Sequence, residues 1–223
     1  MKAEIITQKL IFNTFVDQKT QLVDKFNIMK PSKDELVREQ IIIAAQGLFK
    51  QFGLKKTTMD EIAEACGKAK STLYHYFKSK EEVFDAVLEK ELQNLRMMVN
   101  EAVTLQSSLK EKLKSYIITF HQEALNKINV FRILKQEIKN ELANSARFAN
   151  IIEFETSFVT SLLNEGFEKK ELTGLEKDDI PWLAEVMVVS FLGIVRYSVE
   201  KEGQFDASRL EKVTEVLISR IIT

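Results

Sequence analysis

The chain is short of the residues that interrupt or staple a backbone. Two prolines and seven glycines in 223 residues are far below ordinary usage, which favours long helices with few turns. The single cysteine, Cys66, cannot close an internal disulfide. No Cys/His array has zinc-ligand spacing, so neither a disulfide-stapled secreted scaffold nor a structural metal site is expected, and a reducing, cytoplasmic setting fits. A long apolar run is also missing. The longest, VMVVSFLGIV at 186–195, is about half of the roughly 20 residues a membrane-spanning helix needs and reads as a buried helix, so no membrane partner is expected. The opening MKAEIITQKLIF has no small-residue cleavage site after it and does not read as an export signal.

What is present is a chain that is 45% apolar and 29% charged, ample for a packed core and rich in helix-favouring leucine, lysine and glutamate. The fold class expected is all-α. A net charge of −1 argues against a polyanion partner until its distribution is examined. Residues 30–80 hold ten Lys/Arg against six Asp/Glu, whereas residues 81–223 hold eighteen against twenty-four. One end of the chain is suited to meet a polyanion and the other is not.

Four helix starts follow from one device, a Ser followed or a Thr followed three residues later by Glu, in which each side chain satisfies the other's backbone N–H. They are Ser32 with Glu35, Thr58 with Glu61, Ser79 with Glu82, and Ser108 with Glu111. The first opens a long helix with Leu36, Ile43, Leu48 and Phe52 expected on its inner side and Gly53 ending it. The second opens a short helix with Met59, Ile62, Ala63 and Cys66 on one face and Gly67 stopping it. The stretch ACGKAKSTLYHYF at 65–77 then places Leu73, Tyr76 and Phe77 to pack inward at i, i+3, i+4. Two short helices joined by a glycine turn are the plan of a helix-turn-helix, whose second helix enters the DNA major groove. Further on, Phe84, Leu88, Leu92, Leu95, Val99 and Ala102 draw one apolar stripe and Leu113, Ile117, Phe120 and Ala124 another. Other helical segments are expected near 130–140, 146–170, 179–201 and 207–222, with breaks at Gly174, Pro181 and Gly203.

The lysines and hydroxyls of 65–77 admit other readings. A phosphate-binding loop needs a glycine where Ile62 stands and a Ser/Thr where Ala69 stands, and it needs a preceding strand where this chain has a helix. A Cys66–His75 nucleophile pair would require two residues on different faces of different helices to meet. A nucleic-acid surface uses every residue: Lys70, Ser71, Thr72, Tyr74 and His75 lie opposite Leu73 and Phe77, presenting cations and hydroxyls to base edges and phosphates. Thr58 and Lys80 begin the flanking helices, where exposed N–H groups attract phosphate oxygens.

Residues 36–90, with their run TTMDEIAEACGKAKSTLYHYFKSKEEVF, resemble the DNA-binding domain of the tetracycline-repressor (TetR) family of bacterial regulators. Lys68 departs from the family pattern, which often has an apolar residue after the turn glycine. The resemblance implies that Lys70, Ser71 and Thr72 face bases and that Thr58, Tyr74, His75, Tyr76 and Lys80 contact phosphate or support those contacts. It implies a DNA-binding regulator with no enzymatic activity and no cofactor, a ligand-released repressor bound as a homodimer to a palindromic double-stranded operator. Residues 31–80 would be the reader and residues 81–223 a helical ligand-binding and dimerisation domain. Residues 1–30 would be an extra helix or the product of an upstream start, and residues 1–28 are expected to be dispensable for DNA recognition.

Candidates to line a cavity for a mostly apolar ligand are Tyr116, Phe120, His121, Phe131, Phe148, Phe154, Phe158, Met187 and Phe191, the same residue types that fill cores. The apolar last two helices, near 182–199 and 207–222, suit a dimer face on which Gly193 permits close approach, and a charge at Val188 or Leu217 is expected to yield monomers. The rival readings are a helical enzyme and a helical adaptor, each docked to a polyanion by its basic end. No paired carboxylates, metal-ligand cluster or activated nucleophile supports the first, and the second leaves the Lys70, Tyr74 and His75 face without a purpose.

Overall fold

The computed structural model of the chain describes residues 32–126, 146–200, 207–219 and 222. Among these residues stand eight α-helices: α1 Lys33–Phe52, α2 Met59–Ala65, α3 Lys70–Tyr76, α4 Lys80–Thr104, α5 Leu109–Asn126, α6 Ala146–Glu168, α7 Ile180–Glu200 and α8 Ala207–Ile218. A short 3-10 turn, Lys177–Asp179, leads into α7, and Leu172 and Ile222 meet in an isolated bridge. The fold is all-α. The extension 1–30, the segment expected near 130–140 and the break at Gly203 lie outside the described residues.

The helix starts are built as their sequences require. Ser32 and Glu35 cap each other's amides at 3.1 and 2.7 Å, Thr58 and Glu61 do so at 3.3 and 2.8 Å, and Ser108 and Glu111 at 3.3 and 3.4 Å. At α4 the device is shifted by one residue. Ser79 accepts from the Glu82 amide at 3.2 Å, while the Glu82 carboxylate accepts from the amide of Lys78 at 2.7 Å.

The inner face of α1 is not the expected one. Ile41, Ile42, Ala45 and Phe49 are buried, whereas Leu36, Ile43 and Phe52 are about half exposed. At 100° per residue Leu36 and Ile43 point together, away from the Ala45 direction, and the three consecutive isoleucines 41–43 allow two stripes to be drawn from one sequence. The deciding partner is tertiary: the Phe49 ring meets Phe84 of α4 edge to face, centroids 5.6 Å apart.

Buried side chains form two clusters. One joins α1, α2 and α3 to the beginning of α4 and includes Phe49, Ile62, Leu73, Phe77, Phe84 and Val87. The other begins at Leu88 of the same helix and extends through α5, α6, α7 and α8. Helix α4 therefore belongs to both cores. Gln46 and Glu39 of α1 also bond to Glu91 and Lys90 of α4. Gly166 lets α6 approach the start of α5, since a Cβ there would stand 2.3 Å from Leu109 Cδ2.

Helix α7 is not buried all round, as its sequence suggested. Ile180, Ala184, Val188, Leu192 and Val195 face the core, but Trp182, Val186, Val189 and Tyr197 are exposed. Residues 177–198 are long and apolar enough to cross a membrane by length and composition, with 33% of the most apolar window buried. On α8, Val213, Val216 and Leu217 are likewise exposed.

Candidate nucleic-acid interface

The reading element is assembled by its own backbone. Helix α2 ends at Gly67, whose φ of +65° is a conformation that favours glycine. The Gly67 amide donates to Glu64 O at 3.0 Å and the Lys68 amide to Ala63 O at 2.9 Å, the paired bonds of a Schellman turn. Lys68, the departure in the motif, thus meets the turn's requirement through its main chain. The turn delivers α3 with Leu73 and Phe77 fully buried and Ser71, Tyr74 and His75 exposed beside a half-exposed Thr72. Arg38 of α1 lies over the Phe77 ring, 5.0 Å from its centroid, and Thr58 and Lys70 are exposed at the starts of α2 and α3. A packed inner side and a donor-rich outer side therefore coexist on two turns of helix.

Three of the side chains expected at DNA already have partners within the chain. The Lys70 ammonium pairs with Asp60 of α2 at 2.7 Å; the hydrogen bond and charge of Asp60 raise its pKa. The Tyr76 hydroxyl donates to Asp34 at 2.8 Å, a bond that raises the phenol's pKa, and His75 sets its ring edge against Tyr76 at 5.0 Å. Lys80 donates to the carbonyls of Leu54, Thr57 and Lys55 at 3.0, 3.2 and 3.3 Å. The Lys70–Asp60 pair is exposed on both sides and so held weakly, free to exchange onto a phosphate. Lys80 gathers three acceptors of a turn and serves as its clamp. Asp60 and Asp34 were missed from sequence, although Asp60 sits in the first turn of the helix before a tight turn, where a cation ten residues on can reach it.

Residues 41–87 match the family described as bacterial regulatory proteins, tetR family, from the buried face of α1 through α3 into α4. Those residues thus form a TetR-type DNA-binding segment, and the family match covers that part of the chain. The HTH-type transcriptional repressor KstR2 of Rhodococcus jostii is 31% identical over 121 residues, 54% of this chain and 59% of that one. The match thus spans little more than half of that repressor's length. The HTH-type transcriptional activator FasR of Mycolicibacterium smegmatis is 25% identical over 169 residues, covering 76% of this chain and 75% of that one. A solved transcriptional regulator from Cytophaga hutchinsonii superposes with a TM-score of 0.67 at 26% identity, over 83% of this chain and 98% of that chain. These relatives are regulators and not enzymes.

The expected ligand wall divides three ways. Tyr116, Phe120 and Phe191 are buried and pack on one another with centroids 5.3 to 5.9 Å apart, a filled aromatic core of which Phe191 also borders a cavity. Phe158 and Phe154 border a cleft of about 450 Å³ between α4 and α6. Met187 and Phe191 border a separate, apolar cavity of about 230 Å³ between α5, α7 and α8. His121 is buried and bonds Ser198 of α7 at 2.9 Å. Phe131 and the side chain of Phe148 lie outside the described residues. Sequence reasoning passed over Arg96 and Glu155, which meet at 3.2 Å in the larger cleft. Each is a charge set within an apolar run, NLRMMV and IIEFETSFV, and that was the available signal.

Proposed function

We propose that the chain is a transcriptional regulator that binds a palindromic operator as a homodimer and leaves it when a small, mostly apolar molecule occupies the helical domain. Residues 31–80 act as the reader, packed on the first turns of α4, and residues 81–223 as the ligand-binding and dimerisation domain of a cytoplasmic protein. The observation that carries this reading is α3 itself: Leu73 and Phe77 are sealed beneath it while Ser71, Tyr74 and His75 remain outside. Phosphate contacts would come from Thr58, Tyr74 and His75, and base contacts from Lys70, Ser71 and Thr72. The exposed apolar sides of α7 and α8 support self-association, which sets two readers on successive major grooves about 34 Å apart. Repression is the sense we favour, as in the KstR2 relative.

Footprinting on the DNA upstream of the chain's own gene tests this. Two protected half-sites are expected, with affinity falling steeply as salt rises, because each phosphate contact releases counterions. Tyr74→Phe weakens binding to all sequences, and Lys70→Ala or Thr72→Ala also changes the preferred site. Unaltered affinity in all three variants would remove α3 as the reader.

A further inference from the structure

The cleft between α4 and α6 is chemically unlike the apolar cavity between α5, α7 and α8. Its walls are Met97, Phe154 and Phe158, and its charged groups are Glu89, Arg96 and Glu155. A volume of about 450 Å³ is in the range of small-molecule sites. Glu155 is the buried member, 2% exposed. It receives one hydrogen bond on each oxygen, from Arg96 Nε at 3.2 Å and from the Tyr116 hydroxyl at 3.0 Å, whereas a carboxylate can accept about four. Burial pushes its pKa up despite both bonds, so the carboxylate is under-compensated where it stands. Arg96 grips it through a single nitrogen; its Nη1 is 3.8 Å from Glu89, and its guanidinium lies 3.6 Å over the Phe154 ring. Two carboxylates against one guanidinium leave the lining with an excess of negative charge, beside aromatic faces that also favour cations.

We propose that this cleft is the effector site and that its ligand joins a protonated amine to an apolar, ring-sized body, the ammonium taking Arg96's place at Glu155. This deepens the proposed function and rests on it. The exchange has a mechanical outlet because Arg96 stands on α4, the helix that begins directly after the reader. An ammonium arriving at Glu155 satisfies a buried charge that Arg96 holds by one bond, and it releases the polar tie between α4 and α6. The apolar body replaces water against Met97, Phe154 and Phe158.

The test uses the full chain and three probes of one shape: phenylbutylamine, phenylbutanol and phenylbutanoate. Calorimetry without DNA reads the cleft, and fluorescence polarisation with operator DNA reads release. The amine is expected to bind about tenfold more tightly than the alcohol, the worth of one charge-assisted hydrogen bond, with the carboxylate weakest. Glu155→Gln should erase the amine's advantage in calorimetry and, because it weakens the same tie to Arg96, should itself lower DNA affinity in the absence of amine. Should that variant fail to fold, Glu89→Gln, at an exposed position, must still narrow the amine-to-alcohol ratio. Equal binding of amine and alcohol, tighter binding of the carboxylate, or an amine advantage that survives both variants overturns the proposal. Amine bound in calorimetry with no loss of DNA affinity overturns the effector role alone. A chain that binds no DNA without any probe is a failure of the regulator reading and leaves the calorimetric result to decide the site.

Discussion

Lys80 draws together the carbonyls of Leu54, Lys55 and Thr57, and so fixes the turn from which Thr58 and α2 start. If it is a clamp, Lys80→Ala lowers the melting temperature of the free protein and weakens DNA binding without changing the slope of log affinity against log salt. A phosphate-contacting lysine would reduce that slope by about one, so a salt titration of the variant separates the two roles. His121 gives a second test. The Ser198 hydroxyl donates to Ile194 O at 2.9 Å, so its one proton is engaged and His121 Nε2 must donate to the Ser198 oxygen at 2.9 Å. Burial holds the His121 pKa below its ordinary value. The unfolded chain therefore takes up the proton first, and the stability His121 contributes is complete above about pH 6.5 and lost as pH falls through that value toward the lower folded one. Glu155, with its raised pKa, acts in the opposite sense, so the comparison must be with a variant. The difference in unfolding free energy between the unaltered chain and His121→Gln should shrink as pH is lowered from about 7.5 to about 5; a constant difference would show that His121 does not titrate on unfolding. Neither the partners of Lys80 nor that of His121 was legible in the sequence, because those bonds join residues at least 23 positions apart.

Helices were more legible than their faces. A capping pair is local, so Ser32, Thr58, Ser79 and Ser108 announced four starts, and Gly53 and Gly67 two ends, at positive φ. The stripes of α2, α4 and α5 came through because each has one apolar face. Helix α1 has two, and only the Phe49–Phe84 contact selects between them. Gly166 shows what local pattern omits. Nothing in LLNEGFEKK says that Leu109, fifty-seven positions earlier and 2% exposed, presses on that glycine. Gly166→Ala puts a methyl into occupied space and should destabilise the fold by about 1–3 kcal/mol by overpacking, despite alanine's better helix propensity. Urea denaturation measures it, and a variant as stable as the parent would mean that Leu109 yields at no cost.

The two-part plan of the whole molecule was readable from charge and motif, but the use of its apolar surface was not. Val188 and Leu217 were paired in expectation as dimer-face positions, yet Val188 is 1% exposed and Leu217 65%. On the proposed dimer, Leu217→Glu should give a folded monomer with weak operator binding. Val188→Glu should instead lower the melting temperature sharply by burying a charge without a partner. Light scattering beside thermal melts distinguishes these outcomes, and a dimeric Leu217→Glu would move the interface elsewhere. The aromatic residues misled for the same reason: Tyr116, Phe120 and Phe191 are alike in sequence whether they fill a core or line a hole, and the cleft that does open is marked by the charges Arg96 and Glu155.

Helix α4 runs for 25 residues with neither glycine nor proline, and at 1.5 Å per residue it is a rod of about 37 Å. It carries Phe84 and Val87 in one core and Leu88 through Val103 in the other, so no joint separates the ends. A pivot of about 5° at Arg96 would sweep the Lys80 end, about 24 Å away, by about 2 Å. In the proposed switch the signal is an angle. Stiffness, rather than flexibility, carries it, and a glycine placed midway along the rod would mute the response while leaving both ends intact.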